Sequence, residues 1–149
     1  MEILKSLEDL FEMNTKDTDV VNGSIGSICD ILEYSDASKE DVLSNLNILL
    51  DYLVTIENKD IQENILNAML RVMEAKNIDS GLNLEMVINK MDIFNNECIS
   101  YLLSFLAFSG KKEYRSIIEN YLLDEELKED AEEALIEIDY RIKAINEKN

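Results

Sequence analysis

The chain has 149 residues, with 32 acidic and 14 basic side chains and a formal charge of −18, which excludes an ordinary phosphate-backbone binder because such affinity comes from Lys and Arg displacing condensed counterions. Its hydrophobic content of 46% is too high for a disordered acidic chain, and its length is that of a single domain over residues 1–149. No apolar run nears the roughly 20 residues that span a bilayer, and the opening MEILKSLEDLFEM lacks the basic start and apolar stretch of a secretory signal, so a cytoplasmic protein without membrane contact is expected.

Proline is absent and only four glycines occur, which favours helices joined by turns over a β fold. In chain order, residues 2–13 carry Leu4, Leu7 and Phe11, with Glu8 breaking the stripe. Residues 18–34 place Val21, Ile25, Ile28, Cys29 and Leu32 on one helix face. Residues 39–57 follow Ser38 and Asp41, a capping-box pair, and repeat Leu46, Leu49, Leu50 and Leu53. Residues 60–76 begin at Asp60, on the side where acids suit the helix dipole, and carry Ile61, Ile65, Ala68, Met69 and Val72. After the break at Ser80-Gly81, residues 83–91 hold Leu84, Val87, Ile88 and Met91. Residues 94–109 hold Phe94, Cys98, Tyr101, Leu102 and Phe105, and stop at Gly110, a residue suited to a left-handed cap. Residues 112–123 hold Tyr114, Ile117, Ile118 and Tyr121. Asp124 precedes residues 126–146, which carry Leu127, Ala131, Ala134, Leu135 and Ile138.

Two templates account for these segments. First helices repeat apolar residues at offsets 0, 3, 4 and 7, and second helices at offsets 0, 4, 7, 8 and 11, each an amphipathic stripe. The second template recurs at Ile61, Phe94 and Leu127, spacings of 33 residues, with another copy starting 40 residues earlier at Val21. The unit is a helical hairpin repeated four times. Leu66, Met73, Ile99 and Leu106 give the middle copies a second apolar flank for a neighbour, whereas Glu132 and Asp139 make the last hairpin a polar cap. Gly26 and Glu33 leave the first copy without that flank.

The catalytic vocabulary is small. The chain has no His, which removes most general-base, triad and metal-site designs. Cys29 and Cys98 are isolated and fall on apolar stripes, as buried reduced thiols do. No alternating-oxygen calcium loop occurs. Paired carboxylates such as Glu129 and Glu133 lack a complementary residue, so no enzyme activity, cofactor or metal is expected.

The segment DEELKEDAEEALIEI, residues 124–138, resembles the second helix of a HEAT-type repeat, with an acidic turn before an amphipathic helix carrying Ala-x-x-Ala-Leu-x-x-Ile; KDIQENILNAMLRV, residues 59–72, is similar. The chain lacks the Pro that often bends HEAT first helices, and its period is short. The resemblance implies an all-α fold, a right-handed α-solenoid of about four HEAT-like hairpins, with second helices lining a concave surface. On that surface the candidate partner-binding residues are Glu63, Asn67 and Arg71, then Asn96, Glu97 and Ser100, then Glu126, Glu129, Asp130, Glu133 and Glu137, with Tyr140 beyond. Asn64 and Ser104 share the same helix sides. Nine acids stand between 124 and 139 against Lys128 alone. A charge run is ordinarily a solvated face, but −18 exceeds what solubility requires and repels itself, which a basic partner would relieve. Leu70, Leu103 and Ile136 lie nearly opposite the stripe; packing between repeats is their expected role, and an apolar seam within the acidic face the alternative. Tyr101, Tyr114 and Tyr121 match core positions, whereas Tyr140 suits an interface.

In size, charge and absence of enzyme residues the chain looks like the acidic immunity proteins of bacterial toxin systems, including contact-dependent growth inhibition. That resemblance implies a protein that neutralises a basic, nuclease-type toxin domain without touching nucleic acid itself, and the strong like charge disfavours self-association, so a monomer apart from the complex is expected. An acidic scaffold or adaptor subunit and a nucleic-acid mimic are the alternatives.

Overall fold

The computed structural model describes residues 17–148, and every regular element in that span is helical. The expected first helix, residues 2–13, lies outside the described residues. The described chain falls into two compact units, one formed by residues 17–78 with Leu82–Phe94, the other by Asp79–Gly81 with residues 95–148.

The first unit contains α1 (Thr18–Tyr34), α2 (Lys39–Leu53), α3 (Lys59–Lys76) and the single-turn α4 (Glu85–Ile88), followed by a 3₁₀ turn at Met91–Ile93. Each long helix starts at a side chain that satisfies an otherwise orphaned backbone N–H. Asp17 accepts from the amides of Asp19 and Val20, Ser38 from Asp41, and Asn58 from Ile61. Helix α3 ends at Asn77, whose φ of 53° is the left-handed cap. Helix α3 packs on both α1 and α2, and the expected stripes of all three are buried.

The second unit contains α5 (Asn96–Ser109), α6 (Arg115–Glu119) between 3₁₀ turns at Lys112–Tyr114 and Asn120–Leu123, and α7 (Lys128–Lys148). Asn95 caps α5 by accepting from Cys98 N–H, and Gly110 ends it with φ 66°. Asp124 accepts from the amides of Glu126 (2.9 Å) and Leu127 (3.3 Å), turning the chain into α7. Leu102, Phe105, Ala131 and Ile138 are buried, while Tyr101 and Leu135 are half-buried.

The segments expected as helices at 83–91 and 112–123 are mostly short turns. Their apolar residues recur at three and four, which a 3₁₀ turn also aligns, and neither α4 nor α6 has a side-chain cap. Without caps or length, a helix does not repay its nucleation cost. Similarly, α2 closes at Leu53, short of the expected 57.

Cross-helix hydrogen bonds reveal a common register. In the first unit Asn58 Nδ2 donates to Thr18 Oγ1, Asn64 Nδ2 to Asn22 Oδ1 and Lys76 Nζ to the Ser35 carbonyl, at sequence separations of 40, 42 and 41. Helices α1 and α3 therefore run parallel, offset by the spacing of their templates. In the second unit Asn96 bonds Glu126 and Arg141 bonds the Phe108 carbonyl, at separations of 30 and 33, so α5 and α7 are also parallel.

Cys29 and Cys98 are both buried, and burial above all pushes Cys29 up to about 12, which leaves it protonated and inert. Buried polar side chains are Asn45 and Gln62. Gln62 is 0% exposed; its Nε2 donates to the Ile56 carbonyl at 2.6 Å, while its Oε1 has no partner among the described residues.

An acidic helix face with an apolar centre

Helix α7 is tethered along its buried side, so its outward side is well defined. With Ile138 at the centre of the buried stripe, the 100° advance per residue sends Glu129, Glu132, Glu133, Ile136, Tyr140 and Lys143 outward. All six are exposed, and Ile136 and Tyr140, one turn apart, are 73% and 70% exposed. Leu123, in the turn before the helix, is also exposed.

The acids of residues 124–139 divide by what they touch. Asp124 caps a turn and Glu126 accepts from Asn96 Nδ2. Asp139 takes a bidentate fork from Arg115, at 2.8 and 3.1 Å, and Arg115 also reaches Glu119 at 2.8 Å. The Arg115 hydrogen bond holds the Asp139 carboxyl below the usual range. Glu137 pairs with Arg141 at 2.8 Å. Glu125, Glu129, Asp130, Glu132 and Glu133 have no cationic partner among the described residues. Glu129 and Asp130 occupy the first turn of α7, where the helix dipole favours them. Glu132 and Glu133 lie past that turn, each three or four residues from another acid, an arrangement that costs a helix a few tenths of a kcal/mol per pair.

Arg141 organises the flank beside this face. Its Nε donates to Glu137, and its Nη1 to Asp79 at 2.9 Å and to the Phe108 carbonyl at 3.4 Å; its guanidinium lies 5.1 Å from the Phe108 ring centroid. Burial alone would lower its pKa, but the hydrogen bonds with Glu137 and Asp79 overcome that and raise it, so the cation is fixed at every accessible pH.

The other expected partner-binding residues are distributed over both units. In the first, Asn67 and Arg71 are exposed on α3 and Glu63 is half-buried beside them; neighbouring Asn64 is engaged by Asn22. In the second, Glu97 is exposed on α5, while Asn96 and Ser100 are half-buried. Glu126, Glu129, Asp130, Glu133, Glu137 and Tyr140 are brought together along α7 and the turn before it.

The three residues opposite the stripe have different fates. Leu103 is buried, Leu70 half-buried and Ile136 exposed. Packing accounts for Leu103, whereas Ile136 is an apolar side chain at the centre of the acidic face; its identical register in the pattern concealed that difference. Among the described residues no group of three or more His, Cys, Asp or Glu side chains is placed to hold a metal ion, and no helix is long and apolar enough to cross a membrane. No family model, curated protein or solved structure matches the chain.

Proposed function

We propose that the chain is a non-catalytic binding module, built as a right-handed HEAT-like solenoid, that neutralises a basic protein through the outward face of α7. The reading that best fits such a module is an immunity protein whose target is a cationic nuclease-type toxin domain. One observation carries it: on the outward side of α7, Glu129, Glu132 and Glu133, without a cationic partner among the described residues, lead to the exposed Ile136 and Tyr140, with Lys143 beyond. A charged rim around an apolar centre is how binding surfaces separate steering from retention. The rim accelerates encounter with a basic cleft and makes the rate salt-dependent, and the centre is desolvated in the complex. Carboxylates then stand where substrate phosphates would otherwise bind. Parallel second helices in register within each unit support the repeat architecture.

The test looks immediately upstream of this chain's gene for one encoding a basic domain and uses that domain as the partner; an upstream gene that encodes none counts against the immunity reading. The unmodified protein should bind that domain and protect cells that express it. The charge reversal E129K/D130K/E133K should slow association about tenfold or more at low salt and flatten its salt dependence. A binding partner whose association rate and salt dependence are untouched by that reversal removes this face from the interface. Absence of both binding and protection overturns the immunity reading.

A further inference from the structure

Beside the acidic face, wholly within the second unit, lies an open hollow of about 390 Å³. Phe108, Tyr140, Ala144 and Ile145 provide its apolar surface, and Asp79, Ser80, Arg141 and Lys148 its polar margin. Tyr140 belongs to both the hollow and the outward face of α7. The helix repeat also aligns Asp130, Glu133 and Glu137 with Tyr140, Arg141 and Ala144, so acids lead along one flank of α7 to the mouth.

We propose that this hollow is the anchor socket for one aromatic side chain, a Trp or Tyr, projecting from the basic partner; the proposal rests on the functional reading above. Charge complementarity identifies the owner of that side chain: Asp130 and Glu133, which have no cationic partner among the described residues, lie on the approach and select a partner with Lys or Arg on that side of its anchor, away from Arg141 and Lys148 at the margin. The chemistry of the lining identifies the anchor. Tyr140, 70% exposed, offers an aromatic surface against which a ring packs, and the Arg141 guanidinium over the half-buried Phe108 ring closes the other side. Arg141 already bonds Glu137, Asp79 and the Phe108 carbonyl, so an entering ring does not strand its charge away from water. Asp79 retains a second carboxylate oxygen beyond the one Arg141 uses, and with Ser80 it offers an acceptor for an indole N–H or phenol O–H, which a buried Trp or Tyr requires. Gly110 fixes one wall: a Cβ there would come within 2.8 Å of Ile145 Cδ1. The volume is near the bottom of the range for small-molecule sites, roughly 300–1,000 Å³, and suits a large side chain with accompanying water.

Free indole probes the socket without any partner. Titration into the full chain, followed by NMR, should give saturable shifts of the Ala144 methyl, the Ile145 methyls and the Tyr140 ring, with a dissociation constant on the order of 1 mM. A144W, which fills the hollow, should abolish those shifts. With the basic domain, A144W should raise the dissociation rate at least tenfold and leave the association rate and its salt slope unchanged, the opposite of E129K/D130K/E133K. Indole shifts that are absent, or that fall elsewhere, overturn the socket whatever the partner does. Dissociation from A144W at the unmodified rate also overturns it while leaving the acidic face standing. Indole binding to the socket by a chain that ignores the basic domain overturns the partner assignment and the functional reading together.

Discussion

Leu103 and Ile136 occupy the same position of two consecutive 33-residue copies, yet truncating them should have very different consequences. Leu103 is 1% exposed, so Leu103→Ala removes a fully packed side chain and leaves a cavity, at a cost of about 3 kcal/mol. Ile136 is 73% exposed, so only about a quarter of its side chain is withdrawn from water. Since full burial of such a side chain contributes about 1.5–3 kcal/mol, Ile136→Ala should cost about 0.5 kcal/mol or less. Both residues belong to the second unit, which keeps the comparison within one set of contacts. The assay is urea unfolding followed by circular dichroism, with a thermal melt in parallel. At roughly 2–4 °C per kcal/mol for a chain of this size, Leu103→Ala should melt about 6–12 °C lower and Ile136→Ala within about 2 °C of the unmodified protein. Equal losses would refute the separation of core from surface on which the assignment of the α7 face depends.

Three other perturbations probe the scaffold. Gln62→Glu introduces a carboxylate at a site fully withdrawn from solvent and should cost on the order of 3 kcal/mol at pH 7. Its folded pKa will exceed the unfolded value of about 4.3, so relative to the unmodified protein the penalty is full above the raised folded value and disappears as pH falls below about 4.3; an equal deficit at pH 7 and pH 4 by urea midpoint contradicts this. Gly110→Ala should lose about 1–3 kcal/mol, because φ is 66° and the new Cβ meets Ile145 and Arg141; an unchanged melting temperature argues against the left-handed cap. Arg115→Gln should move the Asp139 carboxyl titration upward toward its ordinary value, read by carbon-detected NMR. That ion pair contributes above the unfolded Asp pKa of about 3.9 and is lost as pH falls through the lower folded value, so an unmoved titration removes Arg115 as its cause.

Much of the architecture was legible because a stripe that must be buried has to recur at helical spacing. Val21, Ile25, Ile28, Cys29 and Leu32, read as one face, are the buried residues of α1. Leu66, Met73, Ile99 and Leu106, read as a second apolar flank, are buried, and Glu132 and Asp139 at the matching positions of the last copy are exposed. The pattern failed where apolar spacing is compatible with more than one backbone: Tyr114, Ile117, Ile118 and Tyr121 suit a helix, but here two 3₁₀ turns flank a five-residue helix. Asn58 and Asn95 cap α3 and α5, whereas charge drew attention to Asp60, two residues beyond Asn58. The acidic face was visible as composition. Its apolar centre stood there only as the alternative reading of Leu70, Leu103 and Ile136, because burial opposite the stripe depends on what lies across from it; of the three, Ile136 alone is exposed. Nor could spacing disclose the clamp between Arg141 and Asp79, 62 residues apart.

The register between α5 and α7 constrains how this chain can change length. Arg141 reaches the Phe108 carbonyl across 33 residues, the same interval that separates the templates, while the turns from Lys111 to Leu127 take up the intervening path. A residue added in those turns leaves α7 in place. One added within α7 before Arg141 rotates everything beyond it by about 100°, withdrawing the guanidinium from Phe108 and Asp79 and turning Tyr140 off the acidic side. Neutral variation in length should therefore gather between Gly110 and Leu127, and any change inside α7 should come in steps that restore the helical turn.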